Sequence, residues 1–429
     1  MSTRTLIIGG GISGLSAAWY LAKEGIRATI VEREDRLGGV IRTDRIQGFV
    51  AEAGPDSFLT TKPAARELIA ELGLEHELIG SNDHLRATWI WRGGRLRRMP
   101  EGMTMMVPGK IGPVLRSDLL SWPGKIRAGL DLFRRPTKTP QDRSLSEFVR
   151  DHYGDEVLDY IAEPMLAGVY GGDPAEMSVG AVLPRFLEWE AKYGSLTRAA
   201  KAEIKPSTGP LFTTLRSGLQ TLVDAIVEQL QPDVIHGSVE RIEKGWRVRI
   251  DGEWIEADDV VVACRAQDVL PDLFPPIRYN SATVIAIGYR KADLQREFEG
   301  FGFLVPRLER KAVSACTWVN NKFDGRAPEG QVLLRVFTPG TKADWRAEVK
   351  EKLGITAEPL FVQETPWPNS MPQYNLGHDR VVGMITEMLE DFPGLHLVGN
   401  AYTGIGIPDC IRMAKQVAQR IASRQRVTT

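Results

Sequence analysis

The feature that most constrains the fold of this chain is a group of three glycines near the N-terminus, Gly9, Gly11 and Gly14, in GxGxxG spacing. The apolar run from Leu6 to Ile8 precedes them and apolar residues at helical spacing follow, so the pattern predicts a strand, a tight turn and a helix. Such glycines let the backbone bend sharply, approach a pyrophosphate at the helix N-terminus and pack the helix on the strand. The sequence therefore predicts a βαβ unit that binds a dinucleotide.

Glu32 closes the second predicted strand, Ala28 to Val31, and lies 18 residues after Gly14. An acidic residue at this place accepts hydrogen bonds from the ribose hydroxyls of an adenosine, and its charge disfavours the 2′-phosphate of NADP. The alternative interpretation is that Glu32 is an ordinary solvated residue at the end of a strand.

The next residues, Arg36, Gly38, Gly39 and Arg42, form the pattern RxGGxxxT together with Thr43. Paired glycines let the backbone come close to a phosphate, and an arginine offsets the phosphate charge. The pattern resembles an extension found in FAD enzymes of the glutathione reductase and amine oxidase type, where it lies along the diphosphate. The resemblance implies that the dinucleotide is FAD.

With 429 residues, the chain is longer than one hydrophobic core usually serves, so we expect more than one domain. The predicted fold class is α/β, with a Rossmann-like FAD-binding domain built from discontinuous segments, a sheet-based substrate domain and a mostly helical insert. The expected boundaries are 1–80, 211–265 and 386–429 for the FAD-binding domain, 81–100 and 266–385 for the substrate domain, and 101–210 for the insert. Residues 87–100 predict a hairpin that turns at Gly93 and Gly94.

The charges nearly balance, with 54 Lys and Arg against 55 Asp and Glu, so the composition does not indicate a nucleic-acid partner. The three cysteines, Cys264, Cys316 and Cys410, and the six histidines lack metal-ligand spacing, and we expect the cysteines to be small core residues. The chain begins almost directly with an apolar strand and has no long uncharged apolar run. These features predict a cytoplasmic protein that binds no metal and does not span a membrane.

Several stretches along the chain resemble the FAD-dependent porphyrinogen oxidases of haem synthesis. They include "EAGPDSFLT" at 52–60, "EPMLAGVYGGDPAEMSV" at 163–179, "MPQYNLGHDRV" at 371–381 and "GNAYTGIGIPDCI" at 399–411. The resemblance implies that a reduced tetrapyrrole is oxidised to a porphyrin in three two-electron steps by hydride transfer to FAD, with dioxygen as the final acceptor and hydrogen peroxide as its product. Protoporphyrinogen IX and coproporphyrinogen III are both open as substrates, and a quinone is open as the acceptor.

The same resemblance assigns residues to FAD. Val239 would contact the adenine through its backbone, Gly54 and Ser57 would lie beside the flavin ring, and a C-terminal helix would direct its first amides to the flavin pyrimidine. The complete set for the cofactor is Gly9, Gly11, Gly14, Glu32, Gly38, Gly39, Arg42, Gly54, Ser57, Val239, Trp367, Gly399, Ile405, Gly406 and Ile407. The alternatives are an ordinary turn at Gly54, a packing role for the C-terminal glycines and a core position for Trp367.

For the tetrapyrrole, the resemblance implies a catalytic role for Gly168, because a side chain at that place would block the approach of the substrate. Phe303 is a candidate apolar wall, with a buried core position as the alternative. Animal and plant relatives carry a propionate-binding arginine where this chain has Thr88, and Arg86 is the nearest basic residue. This difference is typical of the bacterial branch, in which coproporphyrinogen III is often the substrate.

The first part of the insert mixes apolar and basic residues and has two interpretations. It could dock on the cytoplasmic face of a membrane, or it could form a substrate entrance with a basic rim. The apolar residues are Met103, Met105, Met106, Val107, Leu119, Leu120, Trp122 and Leu130, and the basic ones are Lys110, Arg116, Lys125 and Arg127.

The sequence leaves open whether two chains form a homodimer. The competing functions are an amine oxidase, a carotenoid desaturase, or a binding protein without redox chemistry such as the GDP-dissociation inhibitors. The last class does not keep a complete set of FAD contacts.

Overall fold

The N-terminal glycine turn belongs to a five-stranded parallel sheet. The structure is a computed structural model that describes residues 4–137, 141–204, 209–340 and 344–428. The strands of the parallel sheet lie in the order Asp233–His236, Ala28–Glu32, Thr5–Ile8, Asp259–Val262 and Leu395–Leu397. The strands Thr5–Ile8 and Asp259–Val262 are fully buried and rich in β-branched residues, as expected for a parallel sheet covered on both faces.

The two faces of this sheet are covered by different elements. Ile7 packs in the core on one face, whereas Leu6 and Ile8 pack in the core on the other, because side chains alternate along a strand. The first core contains the helices Ile12–Lys23, Pro63–Glu71, Gln220–Leu230 and Ile407–Thr428. The second contains the three-stranded antiparallel sheet of Val239–Glu243, Arg247–Ile250 and Glu253–Glu256 and the helices Ala266–Val269 and His378–Glu390.

The predicted α/β fold class is confirmed by this arrangement, because segments far apart in the chain join one parallel sheet. The helix His378–Glu390 contains the predicted boundary between residues 385 and 386. Through Ile385 this helix packs in the same core as Leu395 of the parallel sheet. The strands between residues 279 and 372 belong to a second, seven-stranded sheet, whereas the helix that follows them packs against the parallel sheet.

A seven-stranded mixed sheet forms the second large layer. Its order is Phe361–Pro372, Tyr279–Arg290, Gln331–Thr338, Ala315–Trp318, Gly302–Leu304, Thr88–Arg92 and Arg95–Arg98. The last two strands form the predicted hairpin, with Arg92 opposite Arg95 across the Gly93–Gly94 turn, and that prediction is confirmed. The helices Val319–Lys322 and Trp345–Leu353 and the 3₁₀ turns Lys291–Asp293 and Arg307–Glu309 connect its strands.

Short strands join the two large sheets. The hairpin of Thr43–Ile46 and Phe49–Glu52 follows the paired glycines, and Phe212–Leu215 pairs with both Phe58–Leu59 and Leu78–Gly80. The 3₁₀ turns Glu75–Glu77 and Asp83–Leu85 flank Leu78–Gly80. Residues 43–59 therefore run from the parallel sheet towards the seven-stranded sheet.

The insert is mostly helical, apart from the short strands Met103–Thr104 and Val107–Pro108. Its helices are Ile111–Arg116, Trp122–Gly129, Leu145–Tyr153, Asp155–Val157, Glu163–Tyr170, Val179–Val182, Pro184–Tyr193 and Leu196–Glu203, with a 3₁₀ turn at Leu130–Phe133 and a π turn at Leu158–Ala162. Ser144 and Glu147 form a capping box that fixes the start of Leu145–Tyr153. The pattern at 156–165 predicts one helix, and the structure has the π turn there and carries the helix on to Tyr170.

Four of the residues proposed for a membrane face are buried instead. Met106, Val107, Leu119 and Leu120 pack in the core of the insert, so that part of the prediction is wrong. Among the described helices, none combines the length and the apolar composition that crossing a bilayer requires. Cys316 and Cys410 are buried, Cys264 is half-buried, and all three are free thiols.

Candidate functional site

The glycine turn after the first strand of the parallel sheet is closely packed backbone. Gly9 has a φ of +103°, and a Cβ on it would lie 3.2 Å from the carbonyl carbon of Ala263. A Cβ on Gly14 would lie 1.9 Å from the carbonyl oxygen of Gly9. The turn itself therefore requires both glycines.

The second glycine faces the paired glycines of the following loop. Gly11 occupies the N-cap of the helix Ile12–Lys23, where the first amides have no carbonyl partner within the helix. The amide of Gly38 donates to the carbonyl of Gly10 at 2.8 Å, and a Cβ on Gly39 would lie 3.1 Å from the Cα of Gly11. Backbone donors without side chains thus form a cradle that fits a diphosphate.

Two arginines lie at this cradle. The guanidinium of Arg36 donates to the carbonyls of Leu37, Gly39 and Ile41, so it braces the loop from within. Burial, followed by the nearby charge of Arg42, lowers the pKa of Arg36. Arg42 donates from Nε to the carboxylate of Asp44 at 2.7 Å, and its two terminal nitrogens take no part in this hydrogen bond. The RxGGxxxT pattern identifies Arg36 as a candidate residue, but only the tertiary structure shows that Arg36 braces the loop.

Glu32 lies where the ribose of a bound adenosine is expected. Its Oε2 accepts from the amide of Gly10 at 2.7 Å and its Oε1 accepts from the amide of Glu34 at 3.0 Å. Each carboxylate oxygen can accept more than one hydrogen bond, so both can also receive ribose hydroxyls. Gly237 donates its amide to the carbonyl of Glu32 at 2.9 Å, which brings Val239 to the same edge of the sheet.

The loop at residues 53–57 is fastened to the seven-stranded sheet. A Cβ on Gly54 would lie 1.8 Å from the carbonyl oxygen of Val40, so this loop runs against the one that carries Gly38 and Gly39. Trp367 donates its indole N–H to the carbonyl of Ala53 at 2.7 Å, and Arg335 donates to the carbonyl of Gly54. The indole of Trp367 is therefore a clamp on this loop.

Below the loop lies a buried charge cluster that consists of Glu52, Asp56, Lys322, Arg326 and Arg335. Asp56 Oδ2 lies 2.9 Å from Lys322 Nζ and 3.1 Å from Arg335 Nη1, and Glu52 Oε1 lies 3.6 Å from Arg326 Nη1. Burial opposes the ionisation of Asp56, but the two cations beside it outweigh burial and hold its pKa well below the usual range. Burial also raises the pKa of Glu52, although Arg326 acts in the opposite direction.

Ser57 belongs to this cluster. Its hydroxyl donates to Asp56 at 2.7 Å and accepts from Lys322 at 3.2 Å. Sequence reasoning missed the basic members, because Lys322 lies 266 residues after Asp56 in the chain. One signal was available for Arg335, which interrupts the apolar run "VLLRVFT" of a buried strand.

The C-terminal turn leads into the helix Ile407–Thr428. Gly399 has a φ of +143° and Gly404 a φ of +128°, both in the region that favours glycine. The carboxylate of Asp409 accepts from the amide of Gly406 at 3.2 Å and pairs with Lys62 at 2.6 Å. Ile405, Gly406 and Ile407 therefore lie together at a helix N-terminus, as the resemblance implies.

Gly168 is exposed on the helix Glu163–Tyr170. Apart from its chain neighbours and the backbone of its own helix, the one described atom within 4 Å of a Cβ at Gly168 would be the Cδ2 of Leu304, at 3.7 Å. Phe303 is 1% exposed and packs near Trp318 in the core of the seven-stranded sheet, with 6.4 Å between the ring centroids. The expectation that Phe303 walls the substrate is therefore not met, and its neighbour Leu304 faces Gly168.

Arg86 is exposed and pairs with Asp83 at 3.5 Å. Thr88 begins the next strand and lies opposite Gly302 in the seven-stranded sheet. The structure therefore leaves Arg86 at the surface.

A cavity of about 420 Å³ lies beside the C-terminal turn. Its lining includes Tyr170, Tyr374, Lys62, Asp379 and Ile405. Gly168 is two positions from Tyr170 on the same helix and faces Leu304, so the two residues point in different directions. In the described parts of the chain, no three His, Cys, Asp or Glu side chains come together in a way that could hold a metal ion.

The glycine cradle, Glu32 and the parallel sheet define the class of protein, an α/β dinucleotide-binding protein with a second sheet and a helical insert. The chain belongs to the flavin containing amine oxidoreductase family, whose model matches residues 12–422. Its cofactor is FAD, and the chain is a FAD-dependent oxidoreductase.

Relatives along the full length are porphyrinogen oxidases. The chain is 35% identical to coproporphyrinogen III oxidase of Bacillus subtilis over 96% of each chain. It is 28% identical to the chloroplastic protoporphyrinogen oxidase 1 of Spinacia oleracea, over 97% of this chain and 83% of that one.

Solved structures agree with the fold. A protoporphyrinogen oxidase candidate from Exiguobacterium sp. 255-15 superposes with a TM-score of 0.88 at 29% identity, over 99% of both chains. UDP-galactopyranose mutase reaches a TM-score of 0.74 at 16% identity, over 99% of this chain and 94% of that one, and shows the fold alone.

Proposed function

We propose that this chain oxidises a porphyrinogen to the porphyrin in haem biosynthesis, with dioxygen as the electron acceptor. The observation that carries the proposal is the full-length similarity to the coproporphyrinogen III oxidase of Bacillus subtilis. Thr88 at the place of the family arginine supports coproporphyrinogen III over protoporphyrinogen IX as the substrate.

The residues present fit FAD. The cradle of Gly11, Gly38 and Gly39 would hold the diphosphate and Glu32 the adenosine ribose, while the C-terminal turn would meet the flavin ring. When bound, FAD would supply the hydride acceptor for each two-electron step, with dioxygen as the final acceptor and hydrogen peroxide as its product. The protein's part is to hold the cofactor and the substrate in register and to keep water away.

Gly168 and Leu304 supply the substrate wall in this proposal. Gly168 is exposed in its helix, where a glycine costs stability relative to alanine because it loses more backbone entropy on folding. Packing does not require a glycine here, since a Cβ would meet Leu304 only at ordinary contact distance. The space above Gly168 is therefore suited to a flat, bulky ligand.

The test supplies coproporphyrinogen III and protoporphyrinogen IX in parallel to the FAD-loaded protein and follows porphyrin fluorescence and peroxide. We expect coproporphyrinogen III to be oxidised faster than in the protein-free control, with three peroxide molecules formed per porphyrin. Preference for protoporphyrinogen IX would reverse the substrate assignment. Oxidation of neither compound by a protein that retains FAD would contradict the proposal.

We also propose that the protein touches a membrane surface through the insert. Trp122, Ile126, Leu130 and Phe133 lie along one helical segment and are 65%, 67%, 53% and 80% exposed. Lys125 lies beside them, with its ammonium 4.6 Å from the centre of the Trp122 ring. An apolar stripe with basic neighbours suits the interface of anionic lipids.

Flotation with vesicles that contain phosphatidylglycerol tests this contact. We expect the wild-type protein to float with the vesicles and the double variant Ile126→Ser, Phe133→Ser to remain below. Leu308→Ser is the matched control, because Leu308 is also 67% exposed but lies outside the stripe. Equal flotation of the double variant and the control would contradict the membrane contact.

A further inference from the structure

The stretch "MPQYNLGHDRV" carries the resemblance, yet none of its residues belongs to the cofactor or substrate set. In the structure its Tyr374 is 2% exposed and contacts the C-terminal glycine turn. The phenol hydroxyl of Tyr374 donates to the carbonyl of Asn400 at 2.8 Å and accepts from the amide of Gly404 at 3.0 Å. One hydroxyl thus joins two backbone groups four residues apart.

His378 makes a third contact with the same turn. Its Nε2 lies 3.1 Å from the carbonyl oxygen of Tyr402, and since a carbonyl only accepts, this nitrogen carries the proton. The imidazole stacks on the ring of Tyr374, with 4.1 Å between centroids and 12° between planes. Burial lowers the pKa of His378, so the ring is neutral near pH 7.

The turn at residues 399–407 needs such support. It connects the strand Leu395–Leu397 to the helix Ile407–Thr428, and Gly399 and Gly404 both have positive φ. Glycines give an unfolded or mobile segment many alternative conformations, and each must be lost when a ligand binds. Hydrogen bonds at positions 400, 402 and 404 remove that freedom in advance.

We propose that Tyr374 and His378 are positioning residues, which hold the turn at residues 399–407 in the conformation that receives the flavin ring of FAD. The inference rests on the assignment of this turn to the flavin in the proposed function. It does not depend on which substrate is oxidised. The stretches 371–381 and 399–411 contact each other through these hydrogen bonds.

Tyr374→Phe tests the hydroxyl while keeping the ring. The apoprotein is titrated with FAD, and hydrogen exchange is followed at residues 400–404. We expect the FAD dissociation constant to rise about thirty-fold, the factor that corresponds to two hydrogen bonds of ordinary net strength. Exchange at Gly404 should become faster.

The matched control is Tyr170→Phe. Tyr170 packs 6.0 Å from the ring of Tyr374, but its hydroxyl donates to the carbonyl of Val182. We expect its FAD dissociation constant to stay within about twofold of the wild type. If Tyr374→Phe binds FAD as tightly as this control, the positioning role of the hydroxyl is refuted.

A pair of variants at His378 supplies a second test that does not depend on the folding of Tyr374→Phe. Leucine removes the donor, whereas glutamine can place an amide N–H near the position of Nε2. We expect His378→Leu to weaken FAD binding about fivefold and His378→Gln to restore most of it. Equal FAD affinity in both variants would refute the role of the hydrogen bond to Tyr402.

These measurements separate this inference from the proposed function. FAD affinity is measured without any porphyrinogen, so a wild-type protein that oxidises no porphyrinogen leaves the positioning test intact. Conversely, unchanged FAD affinity in all variants would refute the positioning role, while porphyrinogen oxidation by the wild type would still stand.

Discussion

Gly14 and Gly168 both lie in helices, but their surroundings are opposite. A Cβ on Gly14 would lie 1.9 Å from a backbone oxygen, whereas a Cβ on Gly168 would meet, outside the described part of its own helix, a side-chain atom of Leu304 at 3.7 Å. The first glycine is required for the strand and helix to pack. Packing does not require the second, and under the proposed function its role is to leave space for the substrate.

The loop at residues 53–57 and the helical insert differ in their buried charges. Beneath the loop at 53–57, the basic side chains of Lys322, Arg326 and Arg335 outnumber the carboxylates of Glu52 and Asp56. This loop lies next to the proposed flavin site. A surplus of basic groups there suits a cofactor that gains negative charge on reduction.

In the helical insert the buried carboxylates have partners close by. His152 lies with Nδ1 2.6 Å from Asp131 and Nε2 3.3 Å from Glu190, and Arg143 pairs with Glu190 at 2.7 Å. The hydroxyl of Ser195 also donates to Asp131, at 2.8 Å. This network joins segments of the insert to one another, so its role is stability.

The largest expected effect is that of Gly14→Ala. We expect the protein to lose FAD and about 3 kcal/mol of stability, because the backbone of the cradle must move to admit the methyl group. The ratio of flavin to protein absorbance and urea unfolding measure this. Gly383→Ala is the control, since Gly383 is exposed within a helix and should gain stability from alanine. A yellow Gly14→Ala protein of normal stability would remove the distinction between the two glycines.

Gly168→Leu should have the next largest effect. It should reduce turnover without reducing FAD binding. We expect porphyrinogen oxidation to fall more than about a hundred-fold because the substrate cannot approach, while FAD stays bound. Gly168→Ala should be milder, since its Cβ lies at ordinary contact distance from Leu304. Steady-state rates and flavin spectra measure both variants. Normal turnover in Gly168→Leu would exclude this glycine from the substrate site.

The charge network of the insert predicts a pH effect. Burial opposes the ionisation of Glu190, but His152 and Arg143 outweigh burial and lower its pKa to about 2. A lowered carboxyl pKa stabilises the fold above the unfolded value of about 4.3, and this stability is lost as pH falls towards 2. We expect Glu190→Gln to cost about 2 kcal/mol at pH 6 and progressively less below pH 4.

Urea unfolding across this pH range, followed by tryptophan fluorescence, tests the prediction. Glu188→Gln is the matched control, because Glu188 is exposed on the same helix. A cost of Glu190→Gln that does not depend on pH would contradict the assignment of the stability to an ionised Glu190.

Arg86→Ala should have the smallest effect. Exposed ion pairs contribute little, and Arg86 has only such a pair with Asp83 among the described salt bridges. We expect KM for the porphyrinogen to change less than about twofold. A large increase in KM without a change in kcat would instead place Arg86 at a propionate and would move the substrate site away from Gly168.

Sequence reasoning predicted the local elements well, because each depends on neighbouring residues. The glycine turn, the helix after it, the hairpin at Gly93 and the C-terminal helix all follow from short patterns. The π turn before Glu163 was missed, since the extra residue in that turn breaks the helical period on which the prediction rests.

The side that a strand residue faces was harder to predict. Phe303 and Leu304 are adjacent, and a shift of one residue exchanges their faces. Pairing with Trp89 and Cys316 puts Phe303 in the core, so Leu304 faces Gly168. Phe303, the candidate wall, therefore lies in the core, and under the proposed function its neighbour Leu304 takes that place.

The sequence by itself determined the dinucleotide cradle, because GxGxxG, Glu32 and RxGGxxxT lie within one short segment whose geometry is local. Only the tertiary structure decided which distant groups meet: Lys322 and Arg335 with Asp56, and Tyr374 and His378 with the glycine turn at 399–407. The physical reason is that these contacts depend on the packing of two sheets, and sheet pairing is set by the sum of many weak long-range interactions that no short stretch of sequence encodes.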